Sequence, residues 1–244
     1  MLRTRSSGAN INFGFDVKQL VNFALGDITS EDNILDYYLS ISGNLNDALG
    51  GSNIYNLKLL QGLDNQNPLG SRAGGNYDVF VSTLSLTRIQ PTSFFNSYFI
   101  TSSRGQITNK RAPSANLFSI GGNGTVRGYP IGDGGAGDWG YTSSLQYVIP
   151  IPWDLDIRTN KLKLSQVLSL TSFIEHGAVF IIEGIEGEDY FTSLTGLGGG
   201  LQFNLPKGKN TPNLTFNLYY AYPMSRKPSD GSSGIIYVDG ALNW

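Results

Sequence analysis

The sequence predicts an all-β protein, an antiparallel transmembrane β-barrel of the outer-membrane type, and three observations carry that expectation. Apolar and polar residues alternate with a period of two along the 244 residues, as they do when successive side chains fall on opposite faces of a strand. Charged residues make up only 15% of the chain, against roughly 25% in ordinary soluble domains. Glycine is abundant at 31 residues beside 13 Tyr and 13 Phe, a mixture that suits many turns and aromatic girdles at lipid–water boundaries.

Ten segments carry the alternation, at 9–22, 33–43, 53–63, 77–90, 93–107, 138–149, 162–181, 190–205, 212–223 and 234–244. In the first, Ile11, Phe13, Phe15 and Val17 oppose Asn10, Asn12, Asp16 and Lys18. In the sixth, Tyr141, Leu145, Tyr147 and Ile149 oppose Thr142, Ser144 and Gln146. In the eighth, Leu197, Leu201, Phe203 and Leu205 oppose Gly196, Gly198, Gly200, Gln202 and Asn204. In the ninth, Leu214, Phe216, Leu218, Tyr220 and Tyr222 oppose Thr215, Asn217 and Tyr219.

A soluble β-sandwich alternates as well. Two features count against it: the segments exceed the five or six residues common in soluble sheets, and their wet faces use small uncharged residues rather than Lys and Glu. A tilted membrane strand needs about 9–11 residues, which matches.

The connections alternate in length. Links at 64–76, 108–137, 183–189 and 224–233 are long, whereas 46–52, 90–92 and 206–212 are shorter, the pattern of external loops and periplasmic turns. The link at 150–161 departs from it, being long on the short side. The last segment places Ile236, Val238, Gly240, Leu242 and Trp244 on one face. A terminal aromatic strand of this kind resembles the signal that barrel assembly machinery reads, so Leu242 and Trp244 are its candidate residues.

Several other functions find little support. A formal net charge of −2 argues against a nucleic-acid partner. No apolar run approaches the roughly 18 residues of a membrane helix, and no signal-peptide-like stretch follows Met1. The absence of cysteine is weakly consistent with passage through an oxidising periplasm. Gly121-x-x-Gly124 lacks the Lys-Ser/Thr and the helix of a phosphate-binding loop. His176, the only histidine, falls by parity on the lipid face or at an interface, a poor place for a catalytic triad. Glu183, Glu186, Glu188 and Asp189 are read as a solvated loop before a calcium site, and Lys207 and Lys209 as surface charges of a short turn. No catalytic residue, cofactor or metal is expected.

The longest loop reads Phe118-Ser119-Ile120-Gly121-Gly122-Asn123-Gly124-Thr125-Val126-Arg127-Gly128-Tyr129. Further on comes Phe173-Ile174-Glu175-His176-Gly177-Ala178-Val179. Supporting context is supplied by Asp47 with Gly50-Gly51-Ser52-Asn53, by Gly105-Gln106, by Gly137-Asp138-Trp139-Gly140-Tyr141 and by Pro150-Ile151-Pro152. Together these resemble the two-partner secretion transporters of the haemolysin-activator type. Glu175 stands where that family usually has Asp in its F-x-D-x-G-x-V motif.

The resemblance implies a sixteen-stranded barrel preceded by two periplasmic POTRA domains, with a loop that folds back into the lumen. The loop motif is then Val126, Arg127, Gly128 and Tyr129, with loop glycines Gly121, Gly122 and Gly124. Its partner on the barrel wall is Glu175, flanked by Phe173 and Gly177. Leu2-Arg3-Thr4-Arg5 resembles the approach to strand seven, so residues 1–244 would be the last ten strands, with 108–137 as the lumen loop and the POTRA domains and first strands expected upstream. The implied activity is export of a secreted exoprotein. Outer-membrane lipid and the barrel assembly machinery are the other implied partners. Rival readings are an assembly factor of the same superfamily, the barrel of a patatin-like lipase fusion, and a diffusion porin or adhesin.

Parity supports the pairing separately. Leu162, Leu164, Leu168 and Leu170 share one face of their segment, and Lys163, Ser165, Ser169, Thr171 and Glu175 share the other. Glu175 therefore faces the polar lumen, where the planar fork of Arg127 can hold its carboxylate. In a wet lumen, losing one partner should cost roughly 1–3 kcal/mol.

Overall fold

Each alternating stretch forms a strand, and consecutive strands pair because antiparallel neighbours need only short links. The computed structural model describes residues 7–25, 27–63, 70–151, 164–205 and 213–243. The strands are β1 (Gly8–Ala24), β2 (Asp27–Asn46), β3 (Ser52–Gly62), β4 (Phe80–Pro91), β5 (Tyr98–Thr108), the short β6 (Phe118–Ser119) and β7 (Ala136–Gly137), β8 (Trp139–Pro150), β9 (Leu168–Phe180), β10 (Phe191–Leu205), β11 (Asn213–Pro223) and β12 (Ile235–Asn243). A helical turn, α1 (Leu164–Val167), precedes β9. Ten strands form one antiparallel sheet in the order β1-β2-β3-β4-β5-β8-β9-β10-β11-β12, and β6 pairs with β7 inside the loop between β5 and β8.

The expected faces appear as drawn. Outward side chains on β1 are apolar and open, Phe13 at 86% and Val17 at 79% exposure. Leu214, Phe216, Leu218, Tyr220 and Tyr222 do the same on β11, while Tyr219 and Ala221 between them are buried. The register lines inner residues into rungs across the sheet. One rung runs Ile54, Thr87, Ser102, Ser144, Glu175, Gly196 and Pro223. The next, nearer the long loops, runs Asn56, Ser85, Arg104, Thr142, Gly177 and Leu194.

A single sheet has no second layer, so its core forms where loops fold onto the inner face. Phe118, Ile120, Val126, Tyr129, Val179 and Leu194 make one cluster. Leu60, Val79, Val81 and Ala112 make a second, and Phe173, Tyr219 and Ala221 a third.

The strand bounds depart from the sequence reading mainly in three places. The segment expected at 162–181 is strand only from Leu168, because Leu164–Val167 take a helical turn. The leucine alternation there does not distinguish a strand from the turn that leads into it. The first two segments extend to Ala24 and from Asp27, making a hairpin that turns at Leu25 with φ 54°. The fifth segment begins at Tyr98 rather than 93, since 92–97 form a turn. Leu2 to Arg5, Pro152, Leu162, Lys163, Lys207, Lys209 and Trp244 lie outside the described residues, as do 64–69 and 206–212.

Candidate functional site

The loop between β5 and β8 is pinned at its base by the β6–β7 pairing, Phe118 with Gly137 and Ser119 with Ala136. Gly121 and Gly122 follow with φ of 99° and 94°, a backbone region that side-chain-bearing residues resist. A Cβ on Gly121 would also lie 2.9 Å from the Gly134 nitrogen. Gly124 is unlike them: its φ is not positive and nothing crowds it, so conformation does not require glycine there. Val126 and Ile120 are fully buried, sealing the descending chain against Val179 and Leu194.

Arg127 then meets Glu175. The carboxylate accepts from the Arg127 backbone N–H at 2.7 Å, from Nε at 2.9 Å and from Nη2 at 2.6 Å. Both side chains are more than nine-tenths buried. The guanidinium carbon lies 3.4 Å from the centroid of the Phe173 ring and 5.0 Å from that of Tyr219. The cation thus has a carboxylate on its edge and aromatic rings on its faces. Glycines on the wall make room: a Cβ on Gly196 would lie 2.0 Å from the Arg127 carbonyl oxygen, and one on Gly177 would press on Val126, Ile120 and Thr142.

The last two motif residues reach the strands beyond. The Gly128 N–H donates to the Tyr237 hydroxyl at 3.0 Å, and Gly128 takes φ 99°. Tyr129, fully buried, donates its hydroxyl to the Thr195 carbonyl at 3.0 Å and accepts from the Ser225 N–H at 3.1 Å. Four consecutive loop residues are therefore tied to β9, β10, β12 and the link after β11.

The remaining sequence candidates lie apart from this site. Leu242 is exposed on the outer side of β12, along with Ile236 and Val238. His176 points outward from the residue next to Glu175, with its ring nitrogens 2.9 Å from Thr195 Oγ1 and 3.1 Å from the Tyr141 hydroxyl.

Sequence reasoning missed a second buried cluster nearer the long-loop rim. Asp138, fully buried, accepts from Arg72 Nη1 at 2.7 Å and Nη2 at 3.0 Å, and from the backbone N–H groups of Ala112 and Ile182. Burial pushes its carboxyl upward, but these hydrogen bonds outweigh that and hold it below the usual range. Arg111 donates to Glu188 at 2.8 and 2.7 Å and to the carbonyls of Ala73, Ile182 and Glu183. The Arg111 hydrogen bonds hold Glu188 down at about 2. The acidic stretch is therefore not uniformly solvated, since Glu188 ties three long links together. Arg72 and Asp138 lie 66 residues apart in sequence and Arg111 and Glu188 77 apart, too far to leave any local pattern.

The profile of the family described as haemolysin secretion/activation protein ShlB/FhaC/HecB matches residues 1–178, a span that includes both the loop and Glu175. The chain belongs to that family. Among solved structures, CdiB from Acinetobacter baumannii is similar at 14% identity and a TM-score of 0.69, over 98% of this chain and 40% of that one. CdiB from Escherichia coli is similar at 15% identity and a TM-score of 0.70, over 100% and 43%. BamA from Haemophilus ducreyi lacking POTRA domains 1-3 is similar at 17% and 0.64, over 97% and 51%. At such identities the likeness shows the fold, an outer-membrane type of β-barrel. The chain spans about half or less of the length of each structure. No curated protein sequence matches it.

Proposed function

We propose that this chain is barrel wall and lumen loop of an outer-membrane transporter that passes a secreted exoprotein partner to the cell surface. The single observation that carries the reading is the Arg127–Glu175 clamp, which fastens a loop to the inner wall of a sheet whose outer face is apolar and open. Membership of the secretion/activation family supplies the class of activity. Bilayer lipid covers the outward belt, and the barrel assembly machinery inserts the chain by reading Leu242 and Trp244.

Transport of this kind breaks no covalent bond, so the clamp acts by position. It keeps the loop against one wall and leaves the rest of the lumen open to a client. The test is export of the exoprotein partner by the full-length transporter in cells, comparing wild type with Arg127→Ala and Glu175→Ala. Both variants are expected to assemble in the membrane and to export far less. Undiminished export by both, at equal transporter levels, sinks the proposed role.

A further inference from the structure

The loop occupies only part of the inner wall. Val126 and Arg127 rest on Gly177 and Gly196, and Gly128 and Tyr129 reach Tyr237 and Thr195, so β9, β10 and β12 are engaged. Across β4, β5 and β8 the same two rungs read Thr87, Ser102, Ser144 and Ser85, Arg104, Thr142. Between this stretch and the loop tip at Asn123, Gly124 and Thr125 lies an open cavity of about 440 Å³, lined also by Gln146 and the clamp.

On the wall side the lining is mostly hydroxyls, from Ser85, Thr87, Ser102, Thr142 and Ser144. A hydroxyl both donates and accepts, so the wall can pair with the N–H or the C=O of a passing peptide, whatever its side chains. No apolar side chain on these rungs of β4, β5 or β8 offers burial that would trap a greasy segment. The clamp charges satisfy each other. Arg104 is different: among the described residues it has no carboxylate within ion-pair distance, and its guanidinium lies 5.4 Å from the Phe118 ring centroid. It stands between this cavity and a second one of about 200 Å³ lined also by Lys18 and Lys58.

We infer that the exported polypeptide runs extended along the β4–β5–β8 wall, between its hydroxyl rungs and the loop tip, with Arg104 favouring acidic over basic segments. The inference rests on the transport reading above. It assigns the client a wall, a contact chemistry and a charge preference. The loop then stays clamped while the client passes beside it.

These 244 residues contain no cysteine, so an introduced thiol is the only one they carry, and any cysteine elsewhere in the full-length transporter is replaced by serine. Full-length transporters carrying Ser102→Cys or Thr142→Cys are compared with Asn12→Cys on β1 and Asn217→Cys on β11, all on the inner face. The partner carries one cysteine and a folded domain that stalls it in transit, and stalled complexes are oxidised. The expected result is roughly tenfold more disulfide adduct at Ser102 and Thr142 than at the other two positions, since proximity raises effective concentration. Equal or stronger adducts at Asn12 or Asn217, with the unstalled partner still exported, overturn the wall assignment but leave transport standing. No export by the parent transporter removes both.

A second arm tests the charge. Arg104→Glu should lower export of a partner with an acidic stretch, relative to one with a basic stretch in the same place, by roughly tenfold. An equal loss for both partners overturns the role given to Arg104.

Discussion

Arg127 leaves water with its charge intact, and several features of its seat offset that cost. Glu175 receives three N–H groups, one of them from the backbone, so the carboxylate is held by the loop as well as by the side chain. Phe173 covers one face of the guanidinium at 3.4 Å. The sequence-based figure of roughly 1–3 kcal/mol assumed a wet lumen. With both side chains more than nine-tenths buried, the expected loss rises toward about 3–5 kcal/mol for Arg127→Ala or Glu175→Ala, because each leaves a buried partner charge. Arg127→Ala combined with Glu175→Ala removes both charges together and should lose less than the two single losses summed. Urea unfolding of the four proteins in lipid vesicles measures this cycle, and strict additivity would show that the pair does not act as a unit. Gly196→Ala probes the seat without touching a charge. Its new Cβ would meet the Arg127 carbonyl at 2.0 Å, so a loss of about 1–3 kcal/mol is expected in the same measurement. An unchanged midpoint would mean that the loop does not lie on β10 as described.

Among the elements, strands were legible and loop contacts were only partly so. Alternation reports which side of a strand is wet, and it placed Glu175 inward because parity is fixed by the backbone. It could not find where β9 begins, since Leu164 and Leu168 keep their spacing through the helical turn. Nor does alternation exist in loops, so the motif pair was found only through family resemblance, and the Arg72–Asp138 and Arg111–Glu188 pairs were not found at all. Those pairs join the links at 63–79, 109–138 and 181–190 into one cap on the long-loop rim. Their pH response has a definite sign. Glu188 is held at about 2 when folded against an ordinary value of 4.5. Its contribution is therefore complete above about pH 4.5 and is lost as pH falls through 2. Pepsin cleavage within 109–138 should stay slow at pH 4 and rise steeply near pH 2, and Glu188→Gln should already be cleaved quickly at pH 4. Equal rates for wild type and Glu188→Gln at pH 4 would rule out the cap.

At the scale of the molecule, the sheet carries its loop on the inner face but leaves two strands with a neighbour on one side only. Among the described residues β1 pairs with β2 alone and β12 with β11 alone. Each therefore presents an unpaired row of backbone N–H and C=O groups. β1 also carries Ile11, Phe13, Phe15 and Val17 outward, all strongly exposed. In hydrocarbon every unpaired backbone group costs several kcal/mol, and an open apolar edge is a template for another strand. The clamp does not relieve this, because the loop seals the face of the sheet and not its edges. Strands before β1 would be the natural partner in a longer chain, and without them the edge takes what is available. The 244-residue chain refolded alone in detergent is thus expected to form dimers or larger species joined at β1 or β12. Light scattering after gel filtration gives their mass, and amide exchange along β1 shows whether that edge has found a partner. A monomer whose β1 amides exchange freely would show instead that micelle and water satisfy the edge, and that the inner loop alone is enough to hold ten strands together.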